Sequence, residues 1–139
     1  MNNPIKIAVD AMGGENSPKK VIDAILENTK KNKDIFFKIF GDENIIKNYI
    51  SKKLDNNIYK IHHTKNKILD TDTPLSAAKK GKDTSMWLTV ESVKNKESDI
   101  AISAGNTGAL FVIAKLNLKM IEKIDKPALS ALWPNKKGF

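Results

Sequence analysis

The run Ser103-Ala104-Gly105-Asn106-Thr107-Gly108 gathers more ligand-binding chemistry than any other part of the chain. The apolar stretch Asp99 to Ile102 leads into it, and a helix-like stretch from Ala109 to about Ile124 leads out. A strand that passes into a helix through Gly, Ser, Asn and Thr builds an anion cradle. Glycine lets backbone N–H groups come close to a ligand. The helix start adds unpaired donors and the positive end of its dipole. The guest that suits such a cradle is a phosphate or an acyl phosphate. Its candidate ligands are the backbone amides of Gly105 to Gly108, the Asn106 side-chain amide, and the hydroxyls of Ser103 and Thr107. The same residue types also serve a helix that is capped for its own sake, and the pattern alone leaves both roles open.

A second corner of this kind opens the chain. Ile5 to Val9 reads as a buried strand, and Asp10-Ala11-Met12-Gly13-Gly14 follows it. Ser17 then fits a helix N-cap and Pro18 the first helical position. In open α/β sheets ligands sit beyond the carboxyl ends of strands, so the two corners can face one crevice. Asp10 is a candidate acceptor for a protonated phosphate, or a tie that holds the Gly13-Gly14 turn. A carboxylate beside an anion repels it unless it is paired or protonated. Gly13 and Gly14 supply either unusual backbone angles or close ligand approach. Lys79, Lys80 and Lys82 offer attraction to phosphate or an acidic partner, or else a solvated face. Ser85 is a candidate ligand contact, with a helix N-cap at Thr84 or Ser85 as the alternative. His62 and His63 are adjacent on a strand and so face opposite sides, which argues against a metal site.

The elements that must position these residues follow from periodicity. Val21, Ile22, Ala24, Ile25 and Leu26 mark a helix after Pro18. Asp34 to Phe40 reads as a second strand, Asn44 to Leu54 as a second helix, and Ile58 to His62 as a third strand. Thr64 to Pro74 is a polar loop, Pro74 to Lys80 a short helix stopped by Gly81, and Met86 to Lys94 a further helix. Asp99 to Ser103 is a fourth strand. The helix after Gly108 is apolar on several faces and is expected to be largely buried. Alternation of strands with helical connections predicts an α/β fold with a mostly parallel sheet and helices on both faces. Lys126 to Trp133 reads as the start of another strand that lacks its crossover, so the chain is expected to be truncated.

At 139 residues there is room for one compact domain. Cysteine is absent, which removes disulfides and thiolate chemistry. The net charge of +8 comes entirely from lysine, without a single arginine. Base-edge readers favour Arg for bidentate contact with guanine, and stacking aromatics are few and scattered, so nucleic acid is not an expected partner. No apolar signal core or spanning segment is present. A dinucleotide-binding Rossmann site is disfavoured because no Gly-x-Gly-x-x-Gly follows a strand.

The motifs Ile7-Ala-Val-Asp-Ala-Met-Gly-Gly14, Gly41-Asp42, Thr84-Ser85-Met86, Ile102-Ser-Ala-Gly-Asn-Thr-Gly-Ala-Leu110 and Ile124-Asp-Lys-Pro-Ala-Leu129 occur in that order. Together they closely resemble the N-terminal part of the PlsX family, the phosphate acyltransferases of bacterial phospholipid synthesis. The resemblance covers residues 1–139 as the N-terminal part of one α/β acyltransferase domain. It implies a three-layer α/β/α fold related to isocitrate dehydrogenase and phosphotransacetylase. It implies transfer of a long-chain acyl group from acyl carrier protein to inorganic phosphate, giving acyl phosphate without a cofactor or a metal. It implies a cytoplasmic homodimer attached peripherally to the membrane, feeding a membrane glycerol-3-phosphate acyltransferase. On these motifs Asp10 and Asn106 are the expected catalytic residues. Gly13, Gly14, Lys79, Lys82, Ser85, Ser103, Gly105, Thr107 and Gly108 are the expected phosphate-binding ones. Two departures stand out. Glu15 replaces the usual Asp after the Gly pair, and Lys79, Lys80 and Lys82 stand where Arg is common, losing the planar fork. The rival readings are a phosphotransacetylase-like enzyme using acyl-coenzyme A and a non-catalytic module that binds an anion or carrier protein.

Overall fold

The computed structural model describes residues 3–50 and 54–132. Four parallel strands form one sheet, β1 (Ile5–Asp10), β2 (Ile35–Gly41), β3 (Tyr59–His63) and β4 (Ile100–Ser103), in the order β3-β2-β1-β4. Side chains alternate across each strand. Val9, Phe37 and Ile39 point to the face covered by α1 (Lys19–Lys31) and α2 (Glu43–Ile50), where Val21, Ile22, Ile25, Ile46, Ile50 and Leu54 complete a buried core. On the opposite face α4 (Ser85–Lys94) packs across β1, β2 and β4. A second cluster joins Met86, Trp87 and Val90 of α4 to Ala77 of α3 (Pro74–Lys79) and to Ala109 and Ile113 of α5 (Thr107–Asn117).

Right-handed crossovers explain the two layers. The chain steps from β1 to β2 to β3 in one direction, which puts α1 and α2 on one face. It then returns to the far side of β1 to lay down β4, which puts α4 on the other. Strand order therefore reverses between β1 and β4, at the switch point where open α/β sheets bind ligands.

Several boundaries differ from the sequence reading. Ser17 is not the N-cap of α1. Its hydroxyl turns back to donate to the Gly13 carbonyl (2.5 Å), and Pro18 takes the cap position. The second helix was expected to reach Leu54, but residues 51–53 lie outside the described residues. β3 begins at Tyr59, because Asn56–Ile58 form a 3-10 turn whose Asn57 N–H donates to the Asp55 side chain (2.9 Å).

The helix after Gly108 ends at Asn117 rather than near Ile124. Leu118 turns extended, and the Asn117 side chain donates back to the Ile113 carbonyl (3.0 Å). Nor is that helix largely buried. It packs on α3 and α4, so only the stripe Ala109, Ile113 and Asn117 is covered, while Leu116 is 59% exposed. Residues 126–132 form no strand. A strand there needs an open ladder edge to pair with, and this segment reaches none. The outer edge of β4 is unpaired among the described residues, with Ile100 and Ile102 about half exposed. No helix among the described residues is long and apolar enough to cross a membrane.

On the α4 face, β2 and β3 set polar groups beside Phe40. Buried Lys38 pairs with Glu97 (2.5 Å), and His62 stacks on Phe40 with ring centroids 4.7 Å apart. The Nε2 atom of His62 is buried without a hydrogen-bond partner. Burial, then the positive charges of Lys38 and Lys60, hold its pKa below the ordinary 6.5, against a weaker opposing pull from Glu97. A depressed folded pKa means that the unfolded chain binds the proton more readily. The neutral ring's contribution is therefore complete above pH 6.5 and is lost as pH falls through the lowered value. We expect urea midpoints to drop between pH 7.5 and 5.5, with the underlying free-energy loss below the ~1.4 kcal/mol per pH unit that one proton allows. His62→Gln should flatten that drop. An equal drop in the variant would place the titrating group elsewhere.

Candidate anion-binding site

β1 and β4 pair so that Asp10 lies beside Ser103 at the carboxyl ends of both strands. This register ties the two corners. Asp10 is 1% exposed, and its Oδ1 accepts the Met12 N–H (3.1 Å). Its Oδ2 accepts the Ser103 hydroxyl (2.7 Å), and Ser103 Oγ in turn accepts the Gly105 N–H (3.1 Å). One buried carboxylate thus organises a turn on each strand. A charge is tolerated there because its oxygens receive donors.

The glycines show how closely the corners meet. A Cβ on Gly13 would lie 2.6 Å from Asp10 Oδ2 and 2.9 Å from both Gly105 N and Ser103 Oγ. Gly14 has φ +81°, and a Cβ there would lie 2.3 Å from the Ala104 carbonyl oxygen. A Cβ on Gly105 would lie 3.0 Å from Met86 Cε and 3.1 Å from Gly13 Cα. The two loops are in backbone contact, and the start of α4 closes against them.

Asn106 caps α5. Its Oδ1 accepts the Ala109 N–H (3.0 Å), while Nδ2 donates to the carbonyls of Asp72 (2.7 Å) and Asp70 (3.1 Å), with Leu69 O farther off at 3.5 Å. The N–H groups of Thr107 and Gly108, the first two of the helix, have no partner among the described residues. Thr107 is exposed, and the first turn of α5 carries no acidic residue. This helix start is electrostatically open to an anion.

The remaining sequence candidates are placed around this centre. Lys79 ends α3 and Lys82 lies in the connection to α4, both exposed. Lys80 is engaged, pairing with Asp72 at 2.5 Å. That hydrogen bond, then the one from the Leu69 N–H, holds the Asp72 carboxyl below its ordinary 3.8. Thr84, not Ser85, caps α4, through a long contact to the Trp87 N–H (3.4 Å). Ser85 is the first residue of α4, and its hydroxyl is buried without a partner. Of the two histidines, His63 accepts the Glu43 N–H on Nδ1 (3.1 Å) and His62 lies against Phe40.

One residue was not singled out from sequence. Lys20, in the first turn of α1, has its Nζ 3.3 Å from where a Cβ on Gly14 would stand. With Asp10 and Ala104 it borders an apolar groove of about 340 Å³ between α1 and the sheet. Lys20 makes no ion pair among the described residues, whereas its neighbour Lys19 pairs with Asp23. A lysine in a helix's first turn opposes the dipole, and that misfit was the available signal.

Chemically, the α5 start offers a tetrahedral oxyanion two unpaired amide donors and a hydroxyl on Thr107, while the Lys20 ammonium stands at the Gly14 turn of the other corner. Such a site needs no nucleophilic side chain if the bound anion is itself the nucleophile.

The sequence also matches known proteins. A model for the family described as "Fatty acid synthesis protein" matches residues 5–139. A phosphate acyltransferase of Pelagibacter ubique is 64% identical over 139 residues, all of this chain and 41% of that protein. One from Jannaschia sp. is 35% identical across 96% of this chain and 37% of its own length. One from Listeria welshimeri is 42% identical across 96% of this chain and 39% of its own length. The chain therefore spans about two-fifths of the curated relatives it matches. With the match running from the first strand to the last residue, the chain belongs to the fatty acid synthesis protein family, the PlsX-type phosphate acyltransferases.

Proposed function

We propose that this chain supplies the phosphate-binding part of a phosphate acyltransferase site. Inorganic phosphate sits on the Thr107 and Gly108 amides, within reach of the Thr107 hydroxyl and the Lys20 ammonium. Asp10, Gly13, Gly14, Ser103 and Gly105 hold the two corners in the shape that presents those donors. Ser85 gains its missing partner on ligand binding, and Lys79 and Lys82 add attraction for phosphate or for an acidic carrier.

In the reaction, a phosphate oxygen attacks the thioester carbonyl of acyl-acyl carrier protein. The new C–O bond forms, the C–S bond breaks, and the carrier thiol leaves with the proton. Positioning and charge stabilisation carry the rate because phosphate is already a competent nucleophile. The acyl carrier protein, a homodimeric assembly, peripheral membrane association and delivery of acyl phosphate to a membrane glycerol-3-phosphate acyltransferase belong to the same proposal. The observation that carries it is the contact of the two glycine corners at the switch point, beside two unpaired helix amides.

Calorimetry with inorganic phosphate tests the binding half. Lys20→Met is expected to weaken binding about tenfold, the loss of one charge-assisted contact. Thr107→Val should weaken it several-fold, and unchanged affinity in both variants would reject the site. Acyl phosphate formed from acyl-acyl carrier protein but not from acyl-coenzyme A supports the stated donor, and the reverse favours the phosphotransacetylase-like rival. Binding without turnover would favour a non-catalytic module.

A further inference from the structure

Asn106 sits in the run that most suggests phosphate contact, yet its side chain has little left to offer an anion. A primary amide has two N–H donors and one carbonyl acceptor. Here both donors go to carbonyls, Asp72 O at 2.7 Å and Asp70 O at 3.1 Å, and the acceptor takes the Ala109 N–H at 3.0 Å. That last bond also fixes which end is nitrogen, since the reversed amide would set N–H against N–H. The only unused capacity is a carbonyl lone pair, which an anion does not seek.

We infer that Asn106 is a positioning residue that latches the 69–72 turn onto the start of α5, and through it fixes the segment from α3 to Ser85 against the anion corner. The latched turn is poorly held by itself. Its backbone contributes one bond, Asp72 N–H to Leu69 O (3.0 Å), and Leu69, Asp70 and Thr71 are exposed. What it carries matters more. Asp72 accepts the Leu69 N–H and pairs with Lys80, and Thr73 caps α3 by accepting the Ser76 N–H. Pro74 stands 3.0 Å from where a Cβ on Gly108 would be, so α3 begins directly against Gly108. Lys79 ends α3, and beyond it come Lys82 and the unpartnered Ser85 hydroxyl. One side chain thus aligns the α5 amides by capping and sets the neighbouring wall of the site by reaching 34 to 37 residues back. The latch rests on the phosphate reading for its purpose but not for its geometry.

Asn106→Asp separates the two jobs. A carboxylate still accepts the Ala109 N–H and is a good N-cap, but it cannot donate and it faces carbonyl oxygens. Amide hydrogen exchange on the 139-residue chain should show protection at Leu69 and Asp72 falling about tenfold or more, while Ile113 and Ala114 in α5 change by less than about threefold. In the unaltered chain titrated with inorganic phosphate, the Asn106 side-chain NH2 resonances should stay in place while the Thr107 and Gly108 amides move. Unchanged protection at Leu69 and Asp72 in Asn106→Asp, or an Asn106 NH2 that titrates with phosphate, would overturn the latch. If no resonance responds to phosphate, the anion site is wrong, and the exchange comparison still decides the latch.

Discussion

Gly14→Ala is expected to lower folding stability by about 3 kcal/mol and to abolish phosphate binding. Two costs add. The residue has φ +81°, where an L side chain is strained by roughly 1–2 kcal/mol. The added methyl would also stand 2.3 Å from the Ala104 carbonyl oxygen. That oxygen cannot yield cheaply, because Ala104 lies between Ser103, held by Asp10, and Asn106, held by α5 and the 69–72 turn. Moving it displaces the corner itself. Gly81→Ala is the control. Its φ is +107°, but a Cβ there would meet only Asp83 Oδ1 at 3.3 Å. That variant should lose about 1 kcal/mol from backbone strain and bind phosphate normally. Urea midpoints and phosphate calorimetry on both variants check the difference.

Asp10→Ala should produce the next largest loss. Its carboxylate receives the Met12 N–H and the Ser103 hydroxyl at a buried position. Removing it leaves both donors unpaired beside a small void, at a cost of about 3 kcal/mol. Asp10→Asn keeps one acceptor and should lose roughly half as much. Phosphate affinity should fall together with stability, because the Gly105 turn depends on a Ser103 hydroxyl that Asp10 orients. If Asp10 merely repelled the anion, removing its charge would tighten binding. A full loss of acyl transfer with unchanged stability and affinity would instead put Asp10 in direct contact with the reacting groups.

The residues that were legible in the sequence act through local chemistry. Strands β1, β2 and β4 stand close to their expected places because short apolar runs bounded by Gly, Asp or Asn leave few alternatives. Both glycine corners could be read for the same reason. Thr84 and Asn106 were visible as residues at helix starts because capping acts within one turn. What could not be read depends on partners far along the chain. Asp10 meets Ser103 across 93 positions. The Asn106 side chain bonds to the carbonyls of residues 70 and 72, 36 and 34 positions back, contacts that no local pattern reveals. Lys20 was passed over because sequence places it on α1, whereas its ammonium reaches the Gly14 turn. The stretch after Asn117 looked helical from its apolar residues. Helical spacing without a second surface to bury against did not extend α5.

Whether one oxyanion at the α5 start is felt by both corners can be read from the backbone amides of the chain during an inorganic phosphate titration followed by ¹⁵N NMR. Gly13 and Gly14 on one side, and Thr107 and Gly108 on the other, should shift along one saturation curve with a common Kd. Movement of the α5 amides alone, or two curves with different midpoints, would mean that the corners touch without sharing a ligand.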